Sequence, residues 1–240
     1  MSLSRLEQIR LKEQRYHDEY YTNVKLFSEG SWLQSPVKSV MDAFDLLPNQ
    51  NDLQLLDLGC GVGRNSIPLA QRLKDDGKSK VVCVDFLESA ISGLDKYSRE
   101  YGVSDKLELI QSDIGEFNVR ADNYDYIFSV SALEHLDTVA TFQRVLENLQ
   151  LGTKACGIHC FIINSNIQET VVDTGLPLPP MFEILFKTDS LLSTLRNKYA
   201  NWSILRENVS RYALEITRDE RKVRLESDVV TWIAQKSPPS

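Results

Sequence analysis

The chain has 240 residues, 42% hydrophobic and 25% charged, the balance of a globular domain large enough to bury one full core. With 27 Lys and Arg against 34 Asp and Glu, the formal net charge is −7. An acidic surface repels a phosphate backbone, so nucleic acid is a poor partner. No signal peptide is evident and no apolar run approaches the ~18 residues of a membrane span, so a cytoplasmic protein away from membranes is expected.

In chain order, residues 1–27 read as an amphipathic helix laid on the main domain. Leu6, Ile9, Tyr16 and Tyr20 share one face, with Glu13 the polar residue among them. Trp32 and Leu33 follow in a loop. Ser35–Pro36 reads as a helix start, a capping hydroxyl followed by proline at the first helical position. Val37, Val40, Met41, Phe44 and Leu47 form that helix's apolar face, and Pro48–Asp52 is a turn. The apolar run Leu53–Leu58 ends in Gly59, Gly61 and Gly63, and a helix over 64–76 follows, closed by Asp75-Asp76-Gly77.

Next come a strand Lys80–Val84 closing on Asp85, a helix Glu88–Tyr101, and a strand Leu107–Gln111 closing on Ser112–Asp113. A strand Tyr124–Val130, a helix over 138–150 and a strand Cys156–Ile163 complete the alternation. Such alternation specifies a parallel sheet with right-handed crossovers and helices on both faces. Residues 164–201 break it: Asn164, Ser165 and Asn166 lead into a loop with Pro177, Pro179 and Pro180, then a helix over 188–199. An insertion at a strand's carboxyl end is more often functional than decorative. Trp202–Glu215 and Val223–Ala234 read as an antiparallel edge hairpin turning at Arg218–Arg221, and Pro238-Pro239 is a frayed tail.

Cys60, Cys83, Cys156 and Cys160 fall in expected strands or the glycine turn, without a C-x-x-C pair. Cys156 and Cys160 share one strand face, and all four read as buried free thiols. His159 alone adds too few ligands for zinc, so no metal is expected.

The glycine turn sits where open α/β sheets bind ligands. A dinucleotide fingerprint G-x-G-x-x-G would put its third glycine at position 64, which is Arg64. Asp57 stands two residues before Gly59, where a carboxylate repels pyrophosphate but welcomes an ammonium group. S-adenosylmethionine (SAM) has that ammonium and no phosphate. Asp85 can accept both hydroxyls of a ribose. Asp113 can accept an adenine amino group, with Ile114 donating its backbone N–H and Phe86 packing on the ring. Each acid alone reads equally well as a cap or turn residue; three at successive strand ends point to a nucleoside.

The stretches LLDLGCGVGRNS, VVCVDF, QSDI and YDYIFSVSALEHL resemble class I SAM-dependent methyltransferases over roughly residues 50–165. The resemblance implies a Rossmann-like, seven-stranded, mostly parallel sheet whose last two strands are the edge hairpin. It implies that Asp57, Gly59, Gly61 and Gly63 line the methionine portion, with Cys60, Asn65 and Trp32 among the cofactor contacts. By the same pattern Asp85 holds ribose, Asp113 and Ile114 hold adenine, and Ser129 lies near the methionine end. GCGVGRNSIPLA, WSILRENV, VRL and TWIA are also similar to the bacterial tellurite-resistance methyltransferase family, which implies an oxyanion acceptor such as tellurite or selenite. On this reading residues 1–47 cover the cofactor site, residues 48–240 form the SAM-binding domain, and 164–201 serve the substrate side.

The candidates beside the transferring methyl are Glu134 and His135, after the fourth strand. The likeness to the tellurite-resistance family implies hairpin arginines facing the substrate, and of Arg211, Arg218, Arg221 and Arg224 the one expected in the pocket is Arg211. The plainer role for Glu134 and His135 is to cap the next stretch. Lys38 is a candidate for the methionine carboxylate, and Tyr20, Tyr21 and Trp32 for lining the pocket. The fourth strand lacks the Asn/Asp-Pro-Pro-aromatic tetrad of amide and adenine nitrogen methyltransferases. The expectation is methyl transfer to a small molecule, with S-adenosylhomocysteine (SAH) as product. The alternatives are a non-catalytic SAM-binding protein and an NAD-dependent oxidoreductase.

Overall fold

The computed structural model describes residues 3–48, 51–218 and 221–238. The expected turn tips at Asn49–Gln50 and Asp219–Glu220, and Pro239 of the tail, lie outside the described residues. Helices α1 (Arg5–Asn23) and α2 (Lys38–Phe44) precede strand β1 (Gln54–Leu58). Then come α3 (Ser66–Arg72), β2 (Lys80–Asp85), α4 (Glu88–Glu100), β3 (Leu107–Gln111), β4 (Tyr124–Val130), α5 (Val139–Gly152) and β5 (Thr153–Val171). The two-residue β6 (Pro177–Leu178), α6 (Thr188–Lys198), β7 (Trp202–Arg218) and β8 (Arg221–Lys236) follow.

The sheet runs β3-β2-β1-β4-β5-β8-β7, with β6 pairing on β5. β1 to β5 pair in parallel; β8 is antiparallel to β5 and β7 antiparallel to β8. The main path has the expected seven strands, and the eighth is the short β6. Leu55 and Leu56 on β1, Val81 to Val84 on β2 and Ile127 and Phe128 on β4 are all buried, as strands covered on both faces must be. One apolar layer packs under α2 and α3, the other under α5 and α6. The carboxyl ends of β1, β2, β3 and β4 therefore open on one rim.

Several boundaries differ from expectation for local reasons. α2 starts after Val37, without a side-chain cap, because the Val37 N–H donates to Asn65 Oδ1 at 2.9 Å. α3 stops at Arg72, because Asp76 organises the following loop by accepting the N–H groups of Asp52, Lys78 and Ser79. Cys156 and Cys160 do not share a face: Cys156 has φ 63° where the β4–β5 register slips, and it is half-buried while Cys160 is buried.

The largest difference is β5, which continues through Asn164, Ser165 and Asn166 to Val171 instead of yielding to a loop. Its side chains alternate inward and outward, but inward Ser165 and Glu169 are polar. Ser165 Oγ bonds to Thr188 Oγ1 and donates to the Asp228 carbonyl, and Glu169 pairs with Arg218. These partners, 23 to 63 residues away, replace the apolar signal that a strand usually shows.

Candidate active site

A cleft of about 700 Å³ crosses this rim, roofed by α1 and walled on the far side by β7 and β8. Its near half is built on the glycine turn. Gly59 has φ +76°, and a Cβ there would lie 2.3 Å from Ala132 Cβ; one on Gly61, φ +53°, would lie 3.0 Å from the Tyr21 hydroxyl. Both positions therefore need glycine. The Asp85 carboxylate receives the N–H groups of Gly61 at 2.8 Å and Leu87 at 3.0 Å, which fixes its orientation. Burial pushes its pKa up against these bonds. Asp113, one strand over, accepts from the Gly115 N–H at 2.8 Å and from Arg10 Nη2 at 2.9 Å. Between the two acids the Phe86 ring is 50% exposed, an apolar platform facing the cleft.

Of the residues expected to meet cofactor, Gly59, Cys60, Gly61, Asn65, Asp85, Phe86, Asp113, Ile114 and Trp32 line this cleft. Asp57, Gly63 and Ser129 do not: they lie beneath its floor. Asp57 is enclosed and accepts a hydrogen bond from Ser66 Oγ at the start of α3; burial pushes its pKa up to about 7 against that bond. Ser129 Oγ donates to the Leu58 carbonyl within the sheet. Gly63 packs against Leu94 and Ile67 of the flanking helices. Lys38 also leaves the site, its side chain 87% exposed and paired with Asp42.

The far half holds the other candidates. His135 lines the cleft, its ring stacked on Phe182 and its Nδ1 2.8 Å from Glu183 Oε2. Burial alone would depress its pKa, but the Glu183 bond with Glu13 and Glu134 nearby carries it up to about 9, so the ring is an imidazolium at neutral pH. Glu134 sits under the floor, Oε1 accepting from the Asn164 backbone and side chain and Oε2 without a partner. Arg211 faces away and pairs with Asp228, because strand side chains alternate. Tyr212, Leu214, Ile216 and Arg218 occupy the cleft-facing positions. Arg218 is bound to the fully buried Glu169 carboxylate.

Tyr21, expected to line the pocket, does so and Tyr20 does not. Sequence reasoning missed Arg10, Glu13 and His17, which with Tyr21 form a stripe on α1 spaced three and four apart along the cleft. Glu13 lies 3.5 Å from His17, and Arg64 bonds the Trp32 carbonyl while lying over its indole. The spacing itself was the available signal. Among the described residues no cluster of metal-binding side chains occurs, and no helix is long and apolar enough to cross a membrane.

A glycine turn, two strand-end acids and an exposed aromatic ring on a sheet of this order define the class I SAM-dependent methyltransferase fold. Residues 55–152, from β1 to the end of α5, match the methyltransferase domain model. The TehB protein of Haemophilus influenzae, named a probable SAM-dependent methyltransferase, is 27% identical over 197 residues, 82% of this chain and 61% of that protein. The ubiquinone biosynthesis O-methyltransferase of Rickettsia felis is 34% identical over 91 residues, 38% of this chain and 34% of that one. The chain thus spans under two thirds of these relatives' lengths. The crystal structure of H. influenzae TehB superposes with TM-score 0.65 at 22% identity, covering 92% of this chain and 67% of that one. Residues 55–152 thus match a methyltransferase domain, the fold is that of class I methyltransferases, and the chain resembles TehB.

The cofactor of that class is SAM, and the cleft fits it. Positions 59 and 61 leave room only for backbone, the Phe86 face is open, and the carboxylates of Asp85 and Asp113 retain lone pairs beyond the bonds they already accept.

Proposed function

We propose that this chain transfers a methyl group from SAM to a small-molecule acceptor held between α1 and the β7–β8 hairpin, releasing SAH. The observation that carries this reading is the exposed Phe86 ring between Asp85 and Asp113 at adjacent strand ends, next to a turn that tolerates no side chain. When bound, the sulfonium supplies an already activated methyl group. The chain's own task is then to hold an acceptor in line, about 3–3.5 Å from the methyl carbon, and to exclude water. In this reading Asp85 holds the ribose, and Asp113, Ile114 and Phe86 the purine. Residues 1–47 act as the cover, 48–240 as the binding domain, and 164–201 as the substrate side.

An oxyanion acceptor such as selenite or tellurite is supported by the likeness to TehB and by two cations in the far half, His135 and Arg218. An ionised nucleophile needs no general base, which suits a histidine that is itself protonated. His135 then orients the acceptor as a hydrogen-bond donor, Arg218 takes the place expected of Arg211, and Glu134 braces Asn164 from below.

Calorimetric titration with SAH, SAM and NAD is the first test: SAH and SAM bind and NAD does not. SAM consumption with selenite, tellurite, thiols and small carboxylates is the second. Absence of SAH binding sinks the cofactor assignment. Binding without turnover on any acceptor would favour a SAM-binding sensor.

A further inference from the structure

One arginine connects the two halves of the cleft. Arg10, on the inner face of α1, places Nη2 2.9 Å from Asp113 Oδ2 and its guanidinium 5.5 Å from the Phe86 ring centroid. These are the two groups that the proposed function gives to the purine. Nε of the same guanidinium is 4.0 Å from Glu183 Oε1, and the other oxygen of Glu183 holds His135 Nδ1 at 2.8 Å. The Glu183 carboxylate is nearly enclosed, its side chain 3% exposed, so few other partners reach it. α1 is also tied to this segment by Arg5, which donates to the carbonyls of Pro180 and Phe182. Asp113, Arg10, Glu183 and His135 thus form a row of alternating charge from the adenine side to the acceptor side.

We propose that Arg10 is a positioning residue that reports purine occupancy to His135: once Asp113 and Phe86 are given to a purine, the guanidinium closes on Glu183, and Glu183 loosens its hold on His135. This rests on the proposed SAM site. A guanidinium has five donors and a planar face, so both arrangements satisfy it. It cannot shed its charge, so leaving Asp113 obliges it to find another carboxylate, and Glu183 is already within 4.0 Å. The consequence is order of assembly: the acceptor-side histidine is freed only after the nucleoside is seated.

The histidine ring reads this directly. Three histidines are present, and His159 is buried with a pKa driven down to about 3 by burial and by Lys236, so it stays neutral while His135 titrates. Glu13 from α1, Glu134 from its own segment and Glu183 from the insertion face His135. The experiment is an NMR titration of the histidine ring signals in the full chain, in wild type, Asp113→Asn, Arg10→Gln and the double variant, with and without SAH. His135→Gln assigns the signal. SAH is chosen because it lacks the sulfonium charge.

In the ligand-free protein, Asp113→Asn lowers the His135 pKa by about one unit, as a cation moving onto its carboxylate partner would. Adding Arg10→Gln abolishes that drop. SAH reproduces the drop in wild type and not in Arg10→Gln, which binds SAH several-fold more tightly because Asp113 is no longer contested. An unchanged His135 in Asp113→Asn overturns the proposal, as does a drop that persists in the double variant. Weaker SAH binding by Arg10→Gln makes Arg10 a purine contact and also overturns it. Failure of SAH to bind wild type would remove the SAM reading, while the ligand-free arm still decides the role of Arg10.

Discussion

Asp57 and Asp85 stand on neighbouring parallel strands, yet only Asp85 reaches the cleft. Asp85 ends its strand, whereas Asp57 lies one residue inside β1, where its side chain meets Ser66. Asp57 is level with Cys83, two residues short of Asp85, and the motif gave the residue type but not this difference in depth. An acid buried with a raised pKa costs stability when ionised. Its contribution is fully present below the unfolded value of about 3.9 and is lost as pH rises through about 7. Asp57→Asn keeps an oxygen for Ser66 and removes the charge. We expect denaturation at pH 5 and pH 8 to show the variant gaining on wild type at the higher pH, by up to ~3 kcal/mol. His135 gives the opposite kind of profile. With its pKa about 9 in the free protein, kcat/KM for SAM, which reports the free enzyme, stays flat from pH 6 to 8 and falls as the imidazolium deprotonates near 9. A rising limb between 6 and 7 would instead make it a base.

At the scale of elements, what was legible depended on whether the apolar pattern and the fold agreed. The strands from β1 to β4 and the helices α4 and α5 are near-continuous or periodic in apolar residues, and the sequence locates them to within a residue or two. The outer half of β5 was hidden because Ser165 and Glu169 point inward, their partners supplied by distant segments. α1 was found, but its cleft-facing stripe was read from its apolar residues, whereas a helix roofing a polar chamber presents Arg10, Glu13 and His17. On the hairpin, alternation alone separates Arg218 from Arg211, and the register was not readable without β8. Removing the partner of a buried charge costs roughly 3–5 kcal/mol, whereas an exposed pair is worth under ~1 kcal/mol. Arg218→Gln, which strands the buried Glu169, should therefore unfold at much lower denaturant. Arg211→Gln, at an exposed pair, should match wild type, and urea titration of both checks this.

For the molecule as a whole, the half of the cleft proposed for the nucleoside could be placed from the sequence because the chain's crossings between β1, β2 and β3 bring Asp85 and Asp113 to one rim. The half proposed for the acceptor could not, because it is assembled from α1, the segment after β4, the insertion and the hairpin, which share no local pattern. A ligand that binds only the folded state adds about 2.7 kcal/mol at a hundred times its Kd. For a chain of this size that raises Tm by roughly 5–10 °C. Saturating SAH should produce that shift and NAD none; equal shifts would argue for the oxidoreductase alternative.

The chain has three tryptophans, and only Trp32 lines the cleft. Its indole stacks on Tyr20 at 5.0 Å, with the Arg64 guanidinium 5.3 Å from the ring. Trp232 is fully enclosed and Trp202 packs on His159, so their emission is a constant background. The protein therefore carries its own optical gauge: quenching or a wavelength shift on loading reports the roof over the nucleoside without any label, and Trp32→Phe should silence it.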